Sequence, residues 1–248
     1  MKGLSAAIAF LTRLPLPAPT PPAMAASLPW FPVVGALLGL FAAVLYATAR
    51  LVLPSLVAAT LAIAAVILVT GALHEDGLAD STDAWGGGSS REETLRILRD
   101  PQHGTYALLA LVLSVLLRVA ALASLTPVAA VAILPAVHAI SRGVLVGLLA
   151  AIPAARDDGL ASGFASLASA RQTAITLVVT GAFGVALLGP RFIPATALVI
   201  AISWLVRRLA LRRIGGITGD VLGATQQLNE IALLVFFAGL GEAGWRVP

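Results

Sequence analysis

The chain has no cysteine, so it forms no disulfide, offers no thiolate to a metal and carries no cysteine nucleophile. Charge is nearly as scarce: only 11% of the 248 residues are Asp, Glu, Lys or Arg, and there are three histidines. A soluble domain has roughly a quarter of its residues charged. The place of those charges is taken by apolar residues, 59% of the chain, with a mean hydropathy of +0.97. Apolar windows of about 20 residues, enough to cross a hydrocarbon core of roughly 30 Å, recur along the length. The composition therefore predicts an all-α, polytopic integral membrane protein with about six to seven transmembrane helices, its surroundings the lipid bilayer. The pI near 10.6 does not point to nucleic acid, because the net excess is only +4 and the arginines are spread over short loops. They are read instead as topology determinants and phosphate partners.

In chain order, residues 4–12 predict a short helix with Leu4, Ile8 and Leu11 on one face, lying along the membrane surface. The prolines at 15, 17, 19, 21 and 22 predict an extended linker, so that a single membrane domain, 1–248, has an N-terminal helix and linker at 1–31 and a helical bundle at 32–248. A cleavable signal peptide is not expected, because Arg13 interrupts the short apolar stretch and prolines follow it. Spanning helices are expected at about 32–53, 55–73, 105–125, 128–150, 173–189 and 192–206, with a shorter seventh at about 228–240. In that scheme eleven Lys and Arg fall on one side and three, Arg50, Arg191 and Arg246, on the other, with Arg118 and Arg142 inside helices. The arginine-rich side is then cytoplasmic, and it carries the polar loops 74–104, 151–172 and 207–227.

Polar chemistry concentrates in Gly71–Tyr106, GALHEDGLADSTDAWGGGSSREETLRILRDPQHGTY, which holds seven of the twelve acidic residues and two of the three histidines. Asp76, Asp80 and Asp83 fall at i, i+4 and i+7, one above another on a helix face. Like charges so placed repel, and a divalent cation would offset the repulsion; all-oxygen ligands favour Mg²⁺ or Mn²⁺ over zinc. A solvated acidic face is the plainer alternative. The stretch RRLALRRIGGITGDVLGATQQLNE complements it, with four arginines, four glycines able to approach phosphate, and Asp220 and Glu230. Arg207 and Arg208 read more simply as anchors at the membrane edge. His138, Ser141 and Arg142 share one face of the fourth helix, which predicts that they line a polar cavity contiguous with the acidic stripe.

Read together, GALHEDGLADSTDAWGGG, AFLTRLPLP, RDPQHGTYA and GGITGDVLGATQQLNE resemble the cobalamin synthase family, the adenosylcobinamide-GDP ribazoletransferases, in order over nearly the whole chain. Ala84 and Ala107 stand where the family pattern has glycine. The resemblance implies that a ribose hydroxyl of α-ribazole, or of its 5'-phosphate, attacks the cobinamide phosphate of adenosylcobinamide-GDP and expels GMP. It implies Mg²⁺ or Mn²⁺ on Asp76, Asp80 and Asp83, His74 or Glu75 as base, and substrate contacts from Arg99, Asp100, His103, His138, Ser141, Arg142, Arg212, Arg213, Thr218, Asp220 and Glu230. It implies the cell inner membrane with the active face cytoplasmic, and leaves a homo-oligomer open. A CDP-alcohol phosphotransferase is a rival, but its D-G-x-x-A-R pattern is not met, since Asp80 follows Ala79. A transporter is another, although transporters set their polar groups near the midplane.

Overall fold

The computed structural model describes residues 2–241, so Arg246 lies outside the described residues. Among the described residues there is no strand, only an isolated bridge between Ala154 and Ile217. The helices are α1 (Lys2–Leu11), α2 (Pro21–Ala25), α3 (Phe31–Ala49), α4 (Ser55–Thr70), α5 (Leu73–Gly87), α6 (Arg91–Ile97), α7 (Thr105–Ala123), α8 (Pro127–Ala151), α9 (Leu160–Leu167), α10 (Ala170–Leu188), α11 (Phe192–Ile214) and α12 (Gly219–Leu240). Five helical stretches are long and apolar enough to cross a membrane, or six if the bent pair α4–α5 is one span. The longest, Ala170–Ile214, contains α10, the turn at Gly189 and α11. Its start and finish lie at the same end of the bundle, for Gln172 donates to the Ala25 carbonyl and Arg91 donates to the Ile214 carbonyl. It therefore crosses twice, and the protein is an all-α multi-pass membrane bundle.

Helix α8 runs through the middle of the bundle. Its broadest partner is α3, where Gly35 and Gly39 let the backbones meet: a Cβ on either would sit 2.3 Å from a carbonyl oxygen of α8, that of His138 or Leu134. Small residues four apart are the usual means of close helix packing where lipid, rather than water, surrounds the pair. The outward stripe of α7, Leu108, Leu109, Val112, Leu113, Leu116 and Leu117, is exposed and apolar, as a lipid-facing surface is.

Two buried apolar clusters divide the interior along the helix axes. One gathers Tyr46, Ile63, Leu122, Ile133, Leu134, Leu233 and Phe237; the other gathers Leu11, Phe31, Leu145, Leu149, Ile214, Val221 and Leu222. Between them α7, α8 and α12 contribute Arg118, His138, Ser141, Arg142, Gln226, Gln227 and Glu230, all buried. This polar layer is why α12 begins earlier than hydropathy suggests. Residues 219–227 are not a loop but the first turns of a 22-residue helix, their polar side chains turned inward. Helix α11 likewise continues to Ile214, ended by Gly215 at φ 74°, and carries Arg207, Arg208, Arg212 and Arg213 on its last turns.

The N-terminal segment also departs from expectation. Helix α1 packs Gly3, Ala6, Ala7 and Leu11 inward, and Arg13 donates its N–H to the Val69 carbonyl. Pro21 and Pro22 open α2 rather than extend the linker, since proline's fixed φ suits a first helical turn.

Candidate active site

At the end of α4 the chain turns by 88° into α5 through two left-handed residues, Gly71 (φ 64°) and Ala72 (φ 57°). Glycine adopts that conformation freely; alanine is strained there by roughly 1–2 kcal/mol. The turn swings α5 off the line of α4; Asp76 is left exposed, whereas Glu75 reaches Arg118 within α7. Helix α12 meets α5 at Gly77 and Gly223, where a Cβ on Gly77 would lie 3.0 Å from the Gly223 Cα. The crossing brings Asp220, in the first turn of α12, to the same cavity as His74 and Asp76. Thr218 caps that helix by accepting the Val221 N–H at 3.3 Å.

The acidic stripe splits in two. Asp76 and Asp80 face His103, which the loop between α6 and α7 folds back over them: Nε2 lies 3.9 Å from Asp76 Oδ1 and Nδ1 3.6 Å from Asp80 Oδ1. One ligand atom from each of the three lies within 4.8 Å of the others. Asp83 points elsewhere. Its carboxylate accepts the N–H groups of Gly104 and, at 2.9 Å, Ala107, so it caps the N-terminus of α7. The structure thus sets His103 where the sequence set Asp83. Burial, then the neighbouring Asp76 and Asp220 carboxylates, push the Asp80 carboxyl up to about 6. Asp220 Oδ2 is buried without a hydrogen-bond partner, 3.7 Å from the Arg156 guanidinium. An acid cluster with a raised carboxyl and an orphaned oxygen is short of positive charge, so the donor set fits a divalent cation.

His74 lies beside this cluster, 4% exposed, and lines a cavity of ≈ 140 Å³ with Asp76, Asp220 and a wall of Phe10, Phe31 and Phe164. Burial, then the Arg142 guanidinium, hold its imidazole well below the usual value, so it is neutral at pH 7 and able to accept a proton. Glu75 is differently placed. Its Oε1 accepts from Arg118 at 2.9 Å and from Gln227 at 3.2 Å, at the edge of the polar layer.

The layer itself is tightly joined. Glu230 lies 3.3 Å from Arg118, 3.3 Å from His138 Nδ1 and 3.6 Å from Arg142, and it accepts from Gln226 at 2.6 Å. Gln226 also donates to Ser141 Oγ at 3.2 Å. Two arginines face two glutamates, so the layer is formally balanced with His138 neutral. His138, Ser141 and Arg142 therefore do share a face and do connect to α5, through Glu230, Arg118 and Glu75. They are packed against partners rather than lining the cavity.

The remaining expected residues lie at the rim or serve the fold. Arg99 pairs with Asp158 at 2.8 Å, both exposed, and Asp100 accepts the Gln102 N–H at 3.0 Å. Arg213 donates to the Gly88 carbonyl at 2.9 Å, Arg212 is exposed, and Arg208 covers Trp204 at 5.2 Å. Arg156 was overlooked as a site residue, because in sequence it is one arginine in a loop. Only the fold sets it against Asp220.

A family profile described as cobalamin-5-phosphate synthase matches residues 3–238. Proteins named adenosylcobinamide-GDP ribazoletransferase from Mesorhizobium japonicum and Bradyrhizobium diazoefficiens are each 42% identical, over 92% and 95% of this chain and 89% and 92% of their own lengths. One of the same name from Pseudomonas aeruginosa is 39% identical over 96% of this chain and 98% of its own. No solved structure matches the chain.

Proposed function

The chain belongs to the cobalamin-5-phosphate synthase family, and from that premise we propose that the cavity and acid cluster at the end of its bundle join α-ribazole, or its 5'-phosphate, to adenosylcobinamide-GDP. The oxygen of a ribose hydroxyl forms a bond to the phosphorus esterified to cobinamide. The P–O bond bridging the two phosphates breaks, GMP leaves with the electron pair, and the hydroxyl proton passes to a ring nitrogen of His74. The product is adenosylcobalamin or its phosphate.

The observation that carries this reading is the meeting of a buried neutral His74 with Asp76 and Asp220 around one cavity, Asp76 in turn facing Asp80 and His103. Of the two candidate bases, His74 is the free one, since Glu75 is held by Arg118 and Gln227. Asp76, Asp80 and His103 would hold a divalent cation, Mg²⁺ by its carboxylates and Mn²⁺ readily with the imidazole, and the cation supplies charge neutralisation for the diphosphate. Arg156, 3.7 Å from the cavity-lining Asp220, and Arg99, which shares Asp158 with it, are the cationic side chains placed for the GDP end; Arg142 is sealed in the polar layer. The end that carries α5 faces the cytoplasm of the inner membrane, in keeping with its arginines.

A transport path has no counterpart in this arrangement, because the mid-bundle charges are buried against one another. The test is GMP release from adenosylcobinamide-GDP and α-ribazole 5'-phosphate by the purified chain across a Mg²⁺ titration. Absence of GMP at every Mg²⁺ and Mn²⁺ concentration would overturn the reading.

A further inference from the structure

Phe10 of α1, Phe31 of α3 and Phe164 of α9 come from three separate parts of the chain and meet at one wall of the cavity beside His74. Phe10 and Phe31 are stacked, centroids 5.7 Å apart and planes 13° apart. Phe164 stands edge-on to both, 4.9 Å from Phe10 and 5.9 Å from Phe31. These are the favoured arrangements of aromatic pairs, and a further flat ring entering beside them continues the same packing. Leu145 and Leu149 of α8 complete an apolar end, while His74, Asp76 and Asp220 lie at the other.

We propose that this aromatic end seats the base of the ribazole, and that Phe10, Phe31 and Phe164 set which base the enzyme accepts. The inference rests on the reading above that a ribazole is the acceptor. Three considerations single out that part of the substrates. A cavity of ≈ 140 Å³ is far too small for a corrin macrocycle. Guanine is flat too, but its edge carries several hydrogen-bonding groups, and burying them against three phenyl rings and two leucines leaves them unpaired. The base of α-ribazole is a benzimidazole with two methyl groups, which is apolar along the edge that goes in deepest. With the base at the aromatic end, the ribose lies toward His74 and Asp76, where its hydroxyl must lose a proton. The same seating leaves the GDP end to the arginines outside.

The wall also makes a statement about selectivity. A base bearing an exocyclic amine, such as adenine, would bring a polar group into the apolar end without a partner, whereas a phenyl-lined seat gains from added methyl groups.

The experiment uses the full chain in lipid nanodiscs, measuring GMP release with α-ribazole 5'-phosphate and with the α-ribotide of adenine. Phe10→Leu and Phe164→Leu remove the ring while keeping an apolar side chain of similar size, and Phe164→Tyr restores a ring. Both leucine variants are expected to raise KM for α-ribazole 5'-phosphate about tenfold, with KM for adenosylcobinamide-GDP moving less than about twofold. They also narrow the preference for the benzimidazole over the adenine base, and Phe164→Tyr recovers most of the KM for α-ribazole 5'-phosphate. Calorimetric binding of α-ribazole alone weakens in parallel, a readout that does not depend on turnover. Two results overturn the subsite with the activity left standing: unchanged KM and base preference in both leucine variants, or a rise confined to adenosylcobinamide-GDP. If the wild-type chain binds no α-ribazole and releases no GMP, the acceptor reading falls and the subsite falls with it.

Discussion

Asp76, Asp80 and Asp83 rise along one helix, yet their surroundings give them different work. The first two face His103, and Asp76 also lines the cavity; the third holds the otherwise unpaired N–H groups that begin α7. Substitution by Asn separates these roles, because it removes charge while keeping shape. Asp76→Asn and Asp80→Asn are expected to lower GMP release about a hundredfold or more and to shift the Mg²⁺ requirement upward, with thermal stability nearly unchanged. Asp83→Asn is expected to cost about 1–2 kcal/mol of stability and to leave the Mg²⁺ requirement in place, read as a lower melting temperature at normal metal dependence. Near wild-type turnover in both Asp76→Asn and Asp80→Asn at ordinary Mg²⁺ would exclude the metal site. Asp80 adds a pH signature. Its carboxyl is raised to about 6 in the folded protein, so the metal-free fold binds a proton that the unfolded chain has already lost at that pH. The contribution is favourable below the ordinary carboxylate range and is lost as pH rises toward about 6. Melting temperature measured in chelator should fall over that window in the wild type and stay flatter in Asp80→Asn, and added Mg²⁺ should remove the difference.

At the level of helices, the decisive contact is the glycine crossing of α5 and α12. A Cβ on Gly77 would stand 2.6 Å from the Asp220 carbonyl oxygen, so Gly77→Ala must push the two helices apart. Because Asp220 and Asp76 face one cavity across that crossing, the expected result is a loss of GMP release of tenfold or more at about 1–3 kcal/mol of stability. Unchanged kinetics in a folded Gly77→Ala protein would show that the crossing does not set the cavity. Much of the helix pattern was legible in the sequence, since runs such as Thr105–Ala123 are apolar along nearly their whole length and can only lie in lipid or in a core. The first turns of α12 were not legible. Gln226 and Gln227 look like loop residues to any hydropathy count, which registers their polarity but not the Ser141, Glu75 and Glu230 side chains that satisfy it. The acidic stripe could be read because it lies within one helix, at spacings the helix repeat converts to a face. His103 reaches Asp80 across a gap of more than twenty residues, and Arg156 reaches Asp220 across sixty-four, distances over which spacing carries no geometric information.

Across the whole molecule, the side chains of the active end all belong to one membrane face, which makes a direct test of topology available. The chain has no cysteine, so single cysteines can be placed at the exposed Ser89 and Asp157, at that end, and at Leu51, at the opposite end, without a competing thiol. Labelling of intact cells with a membrane-impermeant maleimide is expected to modify Leu51→Cys and to spare Ser89→Cys and Asp157→Cys until the membrane is opened. Modification at Ser89→Cys in sealed cells would place the cavity on the outer face and sink the proposed orientation. The balanced polar layer joins the same elements into one unit. Glu230→Gln would leave Arg118 and Arg142 sharing a single glutamate, a loss of about 3–5 kcal/mol that shows as failed accumulation or a sharply lower melting temperature in detergent. The order of synthesis gives that layer a further meaning. Arg118 and Arg142 leave the ribosome and enter the bilayer on α7 and α8, while Glu230 arrives on α12, some ninety residues after Arg142. Until then Glu75 is the lone carboxylate for two guanidiniums held in lipid. The nascent bundle is therefore electrically unfinished until its last helix is inserted: before Glu230 arrives, Glu75 serves Arg118 and the carboxylate that pairs with Arg142 is still missing.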